Sequence, residues 1–131
     1  MRTIAVTWRA AVAAVGLSQP VAAHHSLAAQ YDPARPITLT GKVSKVEWTN
    51  PHARFYIDVQ DQKGQVVTWN FELASPNTLY RAGWSRTSLK TGDQITVEGS
   101  IARSGANVGN ARCVTLADGA RLLGRSTQEP N

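Results

Sequence analysis

Hydrophobic and polar residues alternate through most of the chain after residue 36, and this pattern predicts five main β-strands. In the first, residues 37–48, the alternate positions from Ile37 to Val43 share one apolar face. The phase then slips by one residue, so that Val46 and Trp48 continue the same face. A slip of this kind is typical of a β-bulge in a long, curved strand.

The next two segments alternate without interruption and predict a hairpin. Residues 52–60 and 66–73 are joined by Asp61-Gln62-Lys63-Gly64, which places a glycine where a tight connection needs positive φ. After a further glycine-aspartate turn, alternation resumes in the second half of the chain. The fourth and fifth main strands are predicted at residues 95–101 and 111–116, and a short returning strand follows at residues 121–123.

One short segment between the third and fourth strands has helical rather than strand character. Ser75 can cap a helix that begins with Pro76, because proline lacks only an N–H that would be unpaired there anyway. Leu79 and Tyr80 then supply the apolar contacts of about two turns, and Gly83 supplies a left-handed cap.

This order of elements predicts an all-β fold. Five strands with one short helix between strands 3 and 4 are typical of an OB-fold-like Greek-key barrel, which we expect over residues 37–123. A small β-sandwich is the competing architecture, but it does not account for the lone helix.

The first 23 residues have the features of a signal peptide. Arg2 and Arg9 precede or flank an apolar stretch, and the small residues after Pro20 end in Ala23, where we expect cleavage. The apolar stretch is too short for a membrane span, so we expect a periplasmic or secreted protein with no membrane span after cleavage. We expect residues 24–36 to form an extended N-terminal arm and residues 124–131 to form a disordered tail.

Composition narrows the possibilities only modestly. Of the formal net charge of +5, two positive charges lie in the signal peptide, and an exported protein is not expected to meet nucleic acid. Cys113, the single cysteine, cannot form an internal disulfide. Because it lies in an apolar strand, we interpret it as a buried thiol.

The three histidines suggest a metal site. Cleavage after Ala23 would leave His24 with an α-amino and an imidazole nitrogen, which together can chelate copper. His25 or His52 could add a further nitrogen, and Glu47 or Asp32 an oxygen. The alternative is structural: the paired histidines form a polar arm and His52 caps a turn.

A second candidate site is the polar face of strands 2 and 3. Such a face is the usual ligand surface of OB-folds, and here it would suit a glycan, a small polar ligand, a peptide or an envelope protein. Trp48, Trp84 and Tyr80 are predicted to lie next to this face, at the open end of the barrel. The residues predicted to form the surface are Arg54, Tyr56, Thr68, Asn70, Glu72 and Trp84.

Five segments of the chain form a distinctive pattern: HHS, ITLTGKVSKVEWTNPHARFYIDV, WNFELASPNTLYRAGW, LKTGDQITVEG and NARCVTLADGARL. Together they resemble the domain of unknown function 6152 family, which comprises small, secreted bacterial proteins. The resemblance covers His24 to about Leu123 and implies export and this fold, but no reaction. Arg54 departs from the pattern, which has an aromatic or aliphatic residue after NPHA.

The sequence offers little for catalysis. It has no nucleophile elbow, phosphate loop, HExxH or CxxC motif, and its carboxylates are scattered singly. We therefore expect a non-enzymatic periplasmic binding module, with copper or another transition metal bound by His24, His25 and His52. The alternative is a metal-independent interaction domain that uses the polar face.

Overall fold

A computed structural model describes residues 27–125 of the chain. It contains six strands in one mostly antiparallel sheet and two short helices. The predicted signal peptide, residues 24–26 with His24 and His25, and the last six residues all lie outside the described part. In chain order the elements are α1 (Leu27–Gln30), β1 (Tyr31–Glu47), β2 (Arg54–Gln60), β3 (Val66–Glu72), α2 (Pro76–Arg81), β4 (Gln94–Ala102), β5 (Val108–Thr115) and β6 (Arg121–Leu123).

The long first strand has two partners. β1 pairs with β4 through its first part and with β2 through its last part, and Lys42 has a Cα partner in both. The register to β2 shifts between Val43 and Lys45. This irregularity lies where the apolar phase slips in the sequence, so the predicted bulge is confirmed. It lets one strand bend from one partner to the other.

The strand order is β3-β2-β1-β4-β5-β6, and β3 also pairs with β5. The additional pairing is parallel and joins Asn70, Phe71 and Glu72 to Val108, Gly109 and Asn110. Hydrogen-bonded neighbours therefore run in a circuit from β1 through β2, β3, β5 and β4 back to β1. β6 pairs with β5 alone.

The helix between β3 and β4 is confirmed together with its caps. Ser75 is the N-cap and its side chain accepts from the Thr78 N–H at 3.3 Å, with Pro76 at the first helical position. Gly83 adopts a φ of 93° just after the helix. Leu79 is fully buried, so α2 contributes to the core as well as linking two strands.

The core lies between the inward faces of the strands and α2. Phe55 and Phe71 are cross-strand partners whose rings stack 5.6 Å apart, and both are fully buried. Trp48 and Trp69 are partly buried and pack against this core. The Cys113 thiol is buried, as the sequence predicted.

Both ends of the described chain differ from the sequence-based boundaries. β1 begins at Tyr31, inside the expected arm, because this segment pairs with the end of β4. Gly124, the first residue of the expected tail, accepts from the Ala74 N–H and donates to the Arg112 carbonyl, both at 2.9 Å. Within residues 27–125, the helices are too short to cross a bilayer.

Candidate functional site

The polar side chain with the most partners in the described chain is Glu72, at the end of β3. Only 2% of the residue is exposed. Its position in the alternating pattern directs it away from the core, as the sequence predicted. It is nevertheless buried, because side chains from both ends of the fold cover it. A buried carboxylate is costly unless it is paired, so its partners determine what this part of the protein can do.

Four side chains surround the Glu72 carboxylate, and together we call them the Glu72 cluster. On Oε2, the Tyr31 hydroxyl donates at 2.9 Å and Arg54 Nη2 at 2.7 Å. On Oε1, Arg125 Nη2 donates at 3.2 Å, and His52 Nδ1 lies 2.9 Å away. Both oxygens are thus occupied by polar partners, which offsets the cost of burial.

Backbone pairing fixes where these side chains meet. Arg54 is the direct cross-strand partner of Glu72. Ala53 continues the ladder beyond β2, since it donates to the Ala74 carbonyl at 3.1 Å and accepts from the Leu73 N–H at 2.9 Å. His52 is therefore held between the turn and an anchored residue. Its side chain remains 45% exposed.

The Glu72 cluster carries an excess of positive charge. Arg54 and Arg125 are two cations around one carboxylate, and His52 adds a group that can carry a third. The side chain of Arg125 is 9% exposed and that of Arg54 is 32% exposed. Arg54 also donates from Nη1 to Asn70 Oδ1 at 3.3 Å. The outer rim of the cluster therefore consists of His52 and Arg54.

Tyr31 is the member of the cluster with the clearest electrostatic signature. Burial, followed by the negative charge of Glu72 and the hydrogen bond to it, raises the pKa of the Tyr31 phenol from 10.0 to about 12. Each of these effects disfavours the phenolate. The neutral hydroxyl is thereby kept as the donor that ties the start of β1 to β3.

The raised pKa makes stability depend on alkaline pH. The contribution of Tyr31 is complete below pH 10 and is lost as the pH rises toward 12, because the unfolded chain ionises first. We expect the free energy of unfolding to fall by on the order of 2 kcal/mol across this window. Denaturant unfolding should show that Tyr31→Phe abolishes this part of the loss and that Tyr80→Phe, at an exposed tyrosine, retains it. An unchanged profile in Tyr31→Phe would contradict the assignment.

The rest of the predicted polar face forms a row beside the cluster. Thr68 donates its hydroxyl to Asp58 at 2.7 Å, across β2 and β3. Tyr56 donates to Glu47 at 3.4 Å, and Lys45 lies 5.3 Å from the centre of the Tyr56 ring. Hydrogen bonding to Lys45 lowers the pKa of Glu47. Arg54, Tyr56, Thr68, Asn70 and Glu72 thus share one face, as expected from their alternation.

Trp84 does not share that face. It is 3% exposed and belongs to the core, and its indole N–H donates to the Leu123 carbonyl at 2.8 Å. It packs 6.4 Å from Trp48, which in turn meets the half-exposed Tyr80 edge-on at 5.7 Å. The expectation that Trp84 lines a ligand surface therefore needs correction. Its hydrophobic ring is more stable inside, where its one polar atom has a backbone partner.

Of the predicted metal ligands, the structure describes only His52. No group of three or more histidine, cysteine, aspartate or glutamate side chains within residues 27–125 is arranged to hold a metal ion. The two carboxylates considered as oxygen ligands have cationic partners: Glu47 pairs with Lys45 at 2.6 Å, and Asp32 lies 3.8 Å from Arg103. A metal site at His52 would therefore need ligands from outside the described part of the chain, and His24 and His25 are the predicted ones.

Two members of the cluster were not predicted from the sequence. Tyr31 lies in the aperiodic segment before the first apolar run, and Arg125 lies beyond the last strand. Neither position has a local signal, since the contacts with Glu72 span 41 and 53 residues of chain. The one available hint was Glu72 itself, a carboxylate directly opposite an arginine.

Comparison with protein families gives one result. A family model described as "Family of unknown function (DUF6152)" matches residues 11–111, which is more than half of the chain. The chain belongs to the DUF6152 family. The resemblance seen in the sequence is thus confirmed. No curated protein matches this DUF6152 member.

The match covers much of the candidate site. His52, Arg54 and Glu72, together with Tyr31, lie inside the part of the chain that the DUF6152 family model covers, whereas Arg125 lies beyond it. The family description carries no activity, so the function of this DUF6152 protein has to be argued from the geometry of the site.

Proposed function

We propose that this protein is a non-enzymatic binding module that holds a transition metal ion, copper above all, through His24, His25 and His52. The observation that carries the proposal is the position of His52 against Glu72. A histidine whose Nδ1 faces a buried carboxylate is held in one orientation, with its proton on Nδ1 and the Nε2 lone pair directed away. Metal-binding histidines in proteins are usually oriented through their other ring N–H, which donates to a carboxylate, a backbone carbonyl or a water.

The Tyr31 hydrogen bond supports the proposal from the other side. It ties the start of β1 to the same carboxylate that faces His52. Seven residues, 24–30, precede Tyr31. The four residues of α1 span about 6 Å at helical rise, and residues 24–26 can span at most roughly 10 Å. His24 and His25 are therefore close enough along the chain to reach the rim of the cluster.

The chemistry of the cluster favours nitrogen ligands over oxygen. Glu72 has partners on both oxygens, so it acts as an orienting group and not as a ligand. Hard cations such as Ca²⁺ depend on carboxylate ligands, which this cluster does not offer. Imidazole and amine nitrogens suit Cu(II), which also has the highest affinity in the divalent series.

Two further features complete the proposal. Export with cleavage after Ala23 would place the protein in the periplasm and create the free amine of His24. The circuit of β1, β2, β3, β5 and β4, with α2 between β3 and β4, supports a closed five-stranded barrel of the OB type. In that architecture the Glu72 cluster lies at the junction of β2, β3 and the incoming chain.

The test is a calorimetric titration with Cu(II) after mass spectrometry has established that the exported protein begins at His24. We expect an extra N-terminal alanine to weaken binding at least tenfold, since it removes the amine from the chelate. His52→Asn should weaken binding similarly while it leaves stability unchanged, because the asparagine amide can still donate to Glu72. Binding that survives both changes would contradict the proposal.

The alternative function is a metal-independent interaction through the polar face. The observation in its favour is the continuous row of hydrogen-bonded side chains, Arg54 with Asn70 and Thr68 with Asp58, which presents fixed polar groups to a glycan, a small ligand or an envelope protein. The test is a pull-down from envelope extract. If the protein and its His52→Asn variant recovered the same partner, with and without a chelator, the result would favour this function over metal binding.

A further inference from the structure

A groove lies on the outer surface away from the Glu72 cluster, where β1 changes partner. Lys42 marks the place, since it is opposite Asp58 of β2 and also opposite Gln94 of β4. The groove has a volume of about 480 Å³, which lies within the range of roughly 300–1,000 Å³ typical of small-molecule sites. Its lining consists of Thr40, Gly41, Lys42, Asp58, Gln60, Val66 and Gln94.

Two opposite charges line this groove without neutralising each other. Lys42 and Asp58 are direct cross-strand partners, a position in which opposite charges commonly pair. Within residues 27–125, however, Lys42 has no carboxylate at ion-pair distance. Asp58 uses Oδ1 to accept the Thr68 hydroxyl. The groove thus presents an unpaired ammonium group beside a carboxylate that is held in place.

The groove also has one apolar wall. Val66, at the start of β3, is 64% exposed and is the most exposed of the large hydrophobic residues in the described chain. The glutamine amides of Gln60 and Gln94 complete the lining with neutral donors and acceptors. Opposite charges, neutral amides and an exposed aliphatic side chain therefore meet in one concavity.

We propose that this groove binds a small zwitterion with an aliphatic side chain, of the α-amino acid class. Its carboxylate would pair with Lys42, its ammonium group would pair with Asp58, and its side chain would cover Val66. A simple anion or cation would satisfy only one of the two charges. A zwitterion satisfies both, because its charged groups can lie between two protein groups that do not reach each other.

The test is an NMR titration of the exported protein in metal-free buffer with L-leucine, N-acetyl-L-leucine and L-leucinamide. The first has both charges, the second lacks the ammonium group and the third lacks the carboxylate. We expect leucine to shift the amide signals of Lys42, Asp58, Val66 and Gln94 in a saturable manner. The two derivatives should bind about tenfold more weakly, the factor that one charge-assisted contact provides.

Two variants locate the site. Lys42→Met should weaken leucine binding about tenfold, whereas Lys45→Met, the same change at an exposed lysine three residues along β1, should leave the affinity unchanged. The amide spectrum of each variant reports at once whether the fold is intact. Equal shifts with all three compounds, equal effects of the two substitutions, or no saturable shift with leucine would overturn the proposal.

Discussion

Glu72→Gln should lower the free energy of unfolding by about 3–5 kcal/mol, one of the two largest effects expected in this protein. The substitution keeps the size of the side chain but removes the negative charge that Arg54 and Arg125 share. Arg125, at 9% side-chain exposure, is nearly buried and would lose its ion pair with position 72. For a domain of about this length we expect the melting temperature to fall by at least roughly 12 °C.

A matched control is available on β4. Glu98 accepts from Arg121 at 2.7 Å, the same distance as the Arg54 contact with Glu72, but the Arg121 side chain is 61% exposed. Glu98→Gln should therefore cost less than about 1 kcal/mol. Urea unfolding of both variants measures the difference. A similar loss of unfolding free energy in both variants would show that the ion pairs of Glu72 contribute no more than a surface pair, which would contradict the burial described above.

Gly99→Ala should cost about 3 kcal/mol or more, for a steric reason. A Cβ at this position would lie 1.7 Å from the Asn110 carbonyl oxygen, an atom of the neighbouring β5 backbone. The β4–β5 register shifts between Glu98 and Gly99, so the two backbones approach closely at an irregular point of the ladder. Backbone atoms cannot move aside as a flexible side chain could, and the local pairing would have to open.

Gly105→Ala is the control for conformational rather than steric cost. Gly105 has a φ of +75° but nothing within 4 Å of a Cβ, so alanine there should cost about 1 kcal/mol. Urea unfolding measures both variants, and Gly99→Ala should have the lower midpoint concentration of urea. If Gly105→Ala proved as destabilising as Gly99→Ala, the close approach of β4 and β5 would not be the determinant.

Features encoded by neighbouring residues could be predicted from the sequence. The bulge in β1 follows from the slip in apolar phase, and α2 follows from Ser75, Pro76 and Gly83. Each signal lies within a few residues of the structure that it specifies. For the same reason the shared face of β2 and β3 was apparent from alternation alone.

The Glu72 cluster could not be predicted in the same way, because its members come from separate parts of the chain. Tyr31 and Arg125 have no pattern that links them to Glu72, and their contacts exist only after β1, β3 and β6 have assembled. The burial of Trp84 could not be predicted in this way either, because an aromatic residue after a short helix continues no alternating pattern. Its burial depends on a partner near the end of the described chain, Leu123.

The central claim is that Glu72 brings His52 and the start of β1 to one metal site, and paramagnetic broadening tests it most directly. Cu(II) added at well below one equivalent to the isotope-labelled exported protein should first erase the amide signals of His52, Ala53 and Tyr31. The hairpin residues Asp61–Gln65 should stay sharp. If only the first residues of the chain lost their signals, while His52 and Tyr31 stayed as sharp as the hairpin, the claim would be contradicted.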